Sequence, residues 1–365
     1  MNFIILKIHL QMSGQKTLDQ FFNIKNNESK QLKRYFYLNW EMDNHVLLHY
    51  PTIHYEKPSK INFIHKIKCD TIKKGFYFYI CGYFENYNED EYRLNKEKKY
   101  KNVYFLKSHL QKTIRVMDEN KAIPSALHLM QLDMDAFLRR LIIIHLEDTF
   151  LHEDLSIIIW LMIALTKKFK MKKYIYEWIL GFVYITTKTK KKDNMNKIIK
   201  GLIQYDNKSI YQELMSYEKL TLDKKQETLL YALNLITCYG GKPHDIEMIK
   251  KFICLWKTRF HTNSNLKMNK MHIQPIDIYV KELNFEDCDL RAIDYHTHSQ
   301  FNDFILKKYP QLETLDYIKI IIWNHNSGIN NRNEDKIKYD TLNDWKLIKN
   351  YVSKMQYYFF QRDFI

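Results

Sequence analysis

From about Lys107 onward, apolar residues fall three and four positions apart. The stretches LKSHLQKTIRVMDENKAIPSALHLM, DMDAFLRRLIIIHLED, HEDLSIIIWLMIALTKKF and KYIYEWILGFVYITT all keep this spacing, which predicts helices. Several are apolar nearly all round, as a helix at the centre of a core must be. Helical spacing returns near 193–203, 209–219, 223–239 and 244–258, with Asp223 and Asp245 as early-turn residues and a break at Gly240, Gly241 and Pro243. The C-terminal stretch again reads as helical, with loops around 259–275 and 326–336. Ahead of the helices, short aromatic and β-branched runs such as HVLLHYPTIHY and KGFYFYICGYF are punctuated by Pro51, Pro58 and Gly75 and predict strands. Residues 23–34, NIKNNESKQLKR, are polar without an apolar period and read as a tether.

The expected architecture is mainly α. A flexible tail over 1–34 precedes a small aromatic-rich β-containing module over 35–105, a large helical domain over 106–258 and a C-terminal helical region over 259–365 that packs on it. No repeat of fixed period occurs, which sets solenoids aside.

Composition agrees with this pattern and limits the chemistry. With 45% hydrophobic and 15% aromatic residues the chain can fill a core, and only 8 Gly and 6 Pro disfavour turn-rich sheets. Its 57 Lys+Arg against 42 Asp+Glu leave a net charge of +15, which suits an anionic partner. The excess of Lys, Asn, Ile and Tyr also fits an AT-rich coding sequence, which raises charge without any functional cause. The cysteines Cys69, Cys81, Cys238, Cys254 and Cys288 form no CxxC pair, so a zinc module is not indicated and an intracellular, reducing setting is expected. The first residues, MNFIILKIHLQ, are interrupted by Lys7 and His9, against a signal peptide. The longest apolar run, Leu155–Leu165, is short for a bilayer, so no membrane partner is expected.

Near the N-terminus, Gln15, Leu18, Phe21 and Phe22 in GQKTLDQFF are spaced so that one tight helical turn projects Leu18 and both rings to one side. Such an apolar plug on a polar tether fills a hydrophobic pocket in a partner, with the Gln15 amide beside it. These residues resemble the PIP box, the peptide by which replication and repair proteins hold the sliding clamp PCNA. The resemblance implies a clamp partner and a nuclear or viral replication site. The alternative reading is a starter helix that packs on the chain's own core.

Residues 107–148 carry a second pattern. Lys107, Ser108, Gln111, Lys112, Thr113, Ile114, Arg115 and Asp118 are followed by Ala126 and Leu127, then by Arg139, Arg140, Leu141, Glu147 and Asp148. The order and spacing resemble the helical segment after the ATPase core in RarA-type replication-maintenance ATPases, where KSxRGSD, AL and RRLxxxASED recur. The resemblance implies a clamp-loader-like collar, with Arg115, Asp118, Arg139, Arg140, Glu147 and Asp148 as family-like positions. Val116 and Met117 stand where that family has Gly-Ser, and no G-x4-G-K-[ST] phosphate loop occurs, so ATP hydrolysis is not carried over. Read without the resemblance, these are two amphipathic helices with charge pairs at their ends.

Lys167, Lys168, Lys170, Lys172 and Lys173 precede one apolar helix, and Lys188, Lys190, Lys191 and Lys192 follow it. Gathered together they could neutralise DNA phosphates. As solvated loops they would do nothing of the kind, and the aromatics are too numerous for stacking rings to be singled out. Asp294, His296 and His298 in DYHTHS would share one face of a strand and could seat a divalent metal, resembling the opening motif of amidohydrolase and PHP phosphoesterase barrels. Too little chain follows His298 for such a barrel. His325 and Cys288 are further candidate ligands, and Arg332 a candidate phosphate contact.

The leading expectation is a clamp-associated DNA replication or repair accessory protein, non-catalytic or of unassigned activity, with no cofactor indicated beyond a possible divalent metal. A metal-dependent phosphoesterase or nuclease using Asp294, His296 and His298 is the first alternative. A purely structural protein that does not bind the clamp is the second.

Overall fold

The computed structural model describes residues 32–40, 42–43, 46–47, 51–67, 76–85, 87, 90–94, 102–193, 210–239, 241–262, 267–279, 283–284, 288–293, 299–332 and 339–364. The chain is mainly α, with a small sheet near its N-terminus. The strands are β1 (Leu32–Trp40), β2 (Met42–Asp43), β3 (Val46–Leu47), β4 (Thr52–His54), β5 (Phe63–Ile67) and β6 (Phe76–Phe84). β4, β1, β6 and β5 form one sheet in that order, with β1 and β6 parallel at its centre and both edge strands antiparallel. In β1 and β6 the even-numbered residues point inward. Phe36, Leu38, Trp40, Phe78, Ile80 and Phe84 are buried there, while Tyr37, Tyr77, Tyr79 and Tyr83 on the other face are partly exposed.

The helices are α1 (Val103–Arg115), α2 (Glu119–Leu132), α3 (Met134–Asp148), α4 (Leu155–Leu165), α5 (Lys173–Lys188), α6 (Ile210–Tyr217), α7 (Lys224–Cys238), α8 (Pro243–His261), α9 (Ser299–Lys308), α10 (Leu315–Ile322) and α11 (Leu342–Phe364). Short polar side chains start several of them. Asn102 accepts from Phe105 N, Asp118 from Lys121 N and Asp133 from Ala136 N, each satisfying a donor that the first turn leaves open. Asp223 builds a full capping box with Gln226. Pro243, expected as part of a break, instead opens α8, where its missing N–H costs nothing.

α4 is buried from Leu155 through Ala164, as its all-round apolar sequence demands, and it lies against the inner face of the sheet. The Trp160 indole N–H is shared between Phe36 O (3.0 Å) and Cys81 O (3.1 Å), which locks the helix to both central strands. Phe63, Phe84 and Phe169 pack their rings around that indole. Sheet and helices therefore share one core. Part of the expected 259–275 loop runs inside it. Ile273 is buried, Ile276 N donates to Glu177 O, and a Cβ on Gly181 would meet Gln274 O at 2.1 Å, so only glycine lets this segment lie on α5.

The helical stretch read over 106–130 is two helices. Its hinge is a Schellman-type close at the end of α1. Asp118 N donates to Thr113 O, and Met117 sits in the left-handed region with φ 62°.

Candidate functional site

The end of α1, the end of α3 and a π-helical turn over Trp323–Ser327 meet in a cluster of charged side chains. Arg115 lies at its centre. Its Nε donates to Asp148 Oδ1 (2.7 Å), its Nη2 to Glu147 Oε1 (2.9 Å), and its Nη1 reaches Ser327 O at 3.4 Å. Gln111 Nε2 bridges Asp148 Oδ2 (2.7 Å) and Glu147 Oε2 (3.0 Å), while its Oε1 accepts from Arg140. Asn330 Nδ2 donates to the main chain of Asp148 at 3.1 Å, and Lys192 Nζ stands 3.9 Å from its Oδ1.

Two further cations close helix ends. Lys112 Nζ donates to Asn326 O and Ser327 O, both at 2.7 Å, where the π-turn leaves its carbonyls open. The Arg332 guanidinium donates to Ile114 O of α1, to Thr186 O and Thr187 O of α5, and to Thr189 O. That arginine is buried and four of its five N–H donors go to the main chain, which disfavours the phosphate contact suggested for it.

Electrostatically the cluster is a crowd of cations. Arg115, Arg140, Lys192 and Arg332 gather around Glu147 and Asp148, with Asp245 also acting on Arg140. Burial lowers Arg140, Lys192 and Arg332 from their usual values, Arg332 to about 10, with Asp148 opposing the shift in each. Arg332 therefore stays protonated at neutral pH. Arg140 Nε, Asn326 Oδ1 and Ser327 Oγ are buried without a hydrogen-bond partner among the described residues. Asp148 is enclosed by donors and Glu147 is engaged by Arg115 and Gln111, so neither carboxylate is poised as a general base. The arrangement is a clasp that fixes the helices and the turn against one another.

Of the six family-like positions, Arg115, Arg140, Glu147 and Asp148 converge here. Asp118 only caps α2 and pairs with Lys121, and Arg139 pairs with Asp135 one turn away. Asn330 and Arg332 were not expected as members of this cluster. Their signal was the polar run Ser327–Arg332 following an apolar helix.

The lysines suggested for DNA divide into two groups at opposite ends of α5, whose 16 residues span about 24 Å. Lys167, Lys168 and Lys170 lie at the α4–α5 corner, and Lys190 and Lys191 are exposed past the far end. Two of the set serve the interior instead: Lys172 is buried and donates to Asp90 O, and Lys192 faces Asp148. Lys173 pairs with Glu177, and Lys188 with Glu119.

Gln15, Leu18, Phe21 and Phe22 lie outside the described residues, as do Asp294, His296 and His298. Among the described residues no group of three His, Cys, Asp or Glu is placed to hold a metal, and no helix is long and apolar enough to cross a membrane. His325 is buried, with Nε2 paired to Thr341 Oγ1 at 2.8 Å and its ring stacked on Trp345.

One cleft of about 310 Å³ opens between the sheet edge and α7, lined by Tyr55, Tyr217, Glu218, Leu220, Leu222 and Glu227. Its carboxylates are engaged, Glu227 by the Tyr55 hydroxyl (2.7 Å) and Glu218 by Arg34. Compared with known protein families, with curated proteins and with solved structures, the chain matches none.

Proposed function

We propose that this protein is a clamp-tethered accessory factor of DNA replication or repair that acts by recruitment rather than by catalysis. The observation that carries the reading is the spacing of Gln15, Leu18, Phe21 and Phe22, followed by the polar residues 23–31 directly ahead of β1 at Leu32. A linker of that length reaches at most about 30 Å, so clamp binding would hold the folded body within one domain diameter of the encircled DNA. The resemblance of residues 107–148 to RarA-type proteins points the same way on sequence alone. On this reading the protein works in a nucleus or at a viral replication site.

The test is calorimetric titration of the full chain into PCNA beside a Phe21→Ala/Phe22→Ala variant. Micromolar binding, about −8 kcal/mol, is expected for the wild type. The double variant should lose about 2 kcal/mol or more, the scale of a buried aromatic anchor. A wild-type chain that does not bind would sink the proposal.

A further inference from the structure

The outer face of the sheet carries an ordered array of rings and lysines. Strand register places Tyr35 beside Tyr79, Lys33 beside Tyr77, and Lys66 beside Tyr79. Tyr35 is buried and stacks on Tyr79 (centroids 5.1 Å apart, 18° between planes), so the outer ring is braced from the side. Lys66 Nζ lies 3.6 Å from the centroid of the Tyr77 ring, and Lys60 Nζ lies 4.1 Å from that of Tyr83. Lys33, Lys57, Lys60 and Lys66 are exposed on or over this face, with Glu56 as the acid on the same connection. Residues 55–62 leave β4 at His54, opposite Tyr35, and enter β5 at Phe63, opposite Gly82, so they run along the face toward the end of β6, and the Tyr37 hydroxyl donates to Lys60 O. Tyr77, Tyr79, Lys33 and Lys66 lie toward the start of β1 and β6.

From this geometry we infer that the outer face of the sheet toward the start of β1 and β6 binds single-stranded DNA, with bases stacked on Tyr77 and Tyr79 and phosphates held by Lys33 and Lys66. Every base offers a π-face, and stacking on an aromatic ring is worth more than an exposed cation–π pair. A base can therefore displace the Lys66 ammonium from Tyr77 and leave it to a phosphate. Same-face residues two apart on a strand recur about every 6.8 Å, twice the roughly 3.4 Å rise per nucleotide in one strand of B-DNA. The array thus suits an extended, unstacked strand and not a duplex. Cys81, on the same face, is buried and its thiol is pushed up to about 12, so the face binds without offering a nucleophile. The choice of DNA over RNA rests on the clamp reading; the stacking surface itself does not.

The experiment is fluorescence anisotropy of the full chain with labelled dT20, a U20 RNA and a 20-base-pair duplex. Tyr77→Leu should weaken dT20 binding about tenfold, whereas Tyr77→Phe, which keeps the ring, should stay within about twofold. Lys66→Gln should flatten the dependence of log K on log salt by about 0.7. A Lys167→Gln/Lys168→Gln/Lys170→Gln variant should bind as the wild type does. Unchanged melting of Tyr77→Leu excludes misfolding as the cause. The inference is overturned if Tyr77→Leu binds normally, if the lysine triple variant loses binding instead, if polyglutamate competes as well as dT20, or if U20 binds tenfold tighter than dT20. Because clamp binding is measured without DNA, failure here leaves that reading standing, and the reverse holds too.

Discussion

Two places in this fold collect lysines, arginines and polar contacts, and they spend them in opposite directions. Where α1, α3 and the π-turn meet, Arg115, Lys112 and Arg332 are turned inward onto carboxylates and main-chain carbonyls. On the outer sheet face, Lys33 and Lys66 stand in solvent beside partly exposed rings. The difference is one of cost. An inward charge must be paired because its desolvation cost is left uncompensated if its partner goes, whereas an outward one can exchange partners freely. The first region can hold a shape and the second can change company.

The sharpest way to break this contrast is Asp148→Ala. Arg115, Gln111 and Asn330 would lose a shared acceptor, and urea unfolding should show a loss of about 3–5 kcal/mol. Tyr77→Leu in the same assay should move by less than about 1 kcal/mol. Equal losses would abolish the distinction.

A smaller effect is expected at Asp154, a second inward carboxylate. Burial first, and Glu153 second, push it up to about 7. The folded state therefore keeps a proton that the unfolded chain releases above its ordinary value near 4, so this group subtracts stability progressively as pH rises from about 4 to 7. Asp154→Asn should melt like the wild type near pH 4 and gain at pH 8 by at most about 4 kcal/mol. The neighbouring His145 and His152 are lowered by burial and act in reverse, withdrawing stability as pH falls below about 6.5. A gain of the same size at both pH values would mean that charge is not the cause.

The smallest change is at the hinge between α1 and α2. Met117→Gly removes left-handed strain but frees the unfolded chain, so a net stabilisation of about 0.5 kcal/mol should appear as a slightly raised Tm.

The helices were legible because their apolar residues keep one period over long stretches, and α4, apolar on every side, announced its own burial. The hinge at Met117 was missed, although Asp118 already carried the cap signal. The sheet was harder to read. FYFYICGYF has aromatic residues at both parities, so alternation could not say that Phe76, Phe78 and Phe84 face in while Tyr77, Tyr79 and Tyr83 face out. Within the charge cluster, Arg115, Arg140, Glu147 and Asp148 stood out by spacing. Arg332 and Asn330 come from a distant stretch, and only tertiary folding could reveal them. Lys172 and Lys173 adjoin in sequence, yet one enters the interior and the other pairs at the surface.

The lock formed by Trp160 on β1 and β6 has a consequence for how the chain is made. The ribosome finishes β6 at Phe84 and does not reach α4 until Leu155, about 70 residues later. At 5–20 residues per second that interval lasts roughly 4–14 s. Throughout it Phe36, Leu38, Phe78 and Phe84 await the helix that covers them, and a nascent sheet with two open edges is a template for pairing with other chains. Production of this protein is therefore most sensitive to translation speed and to chaperone supply while residues 85–155 are being added.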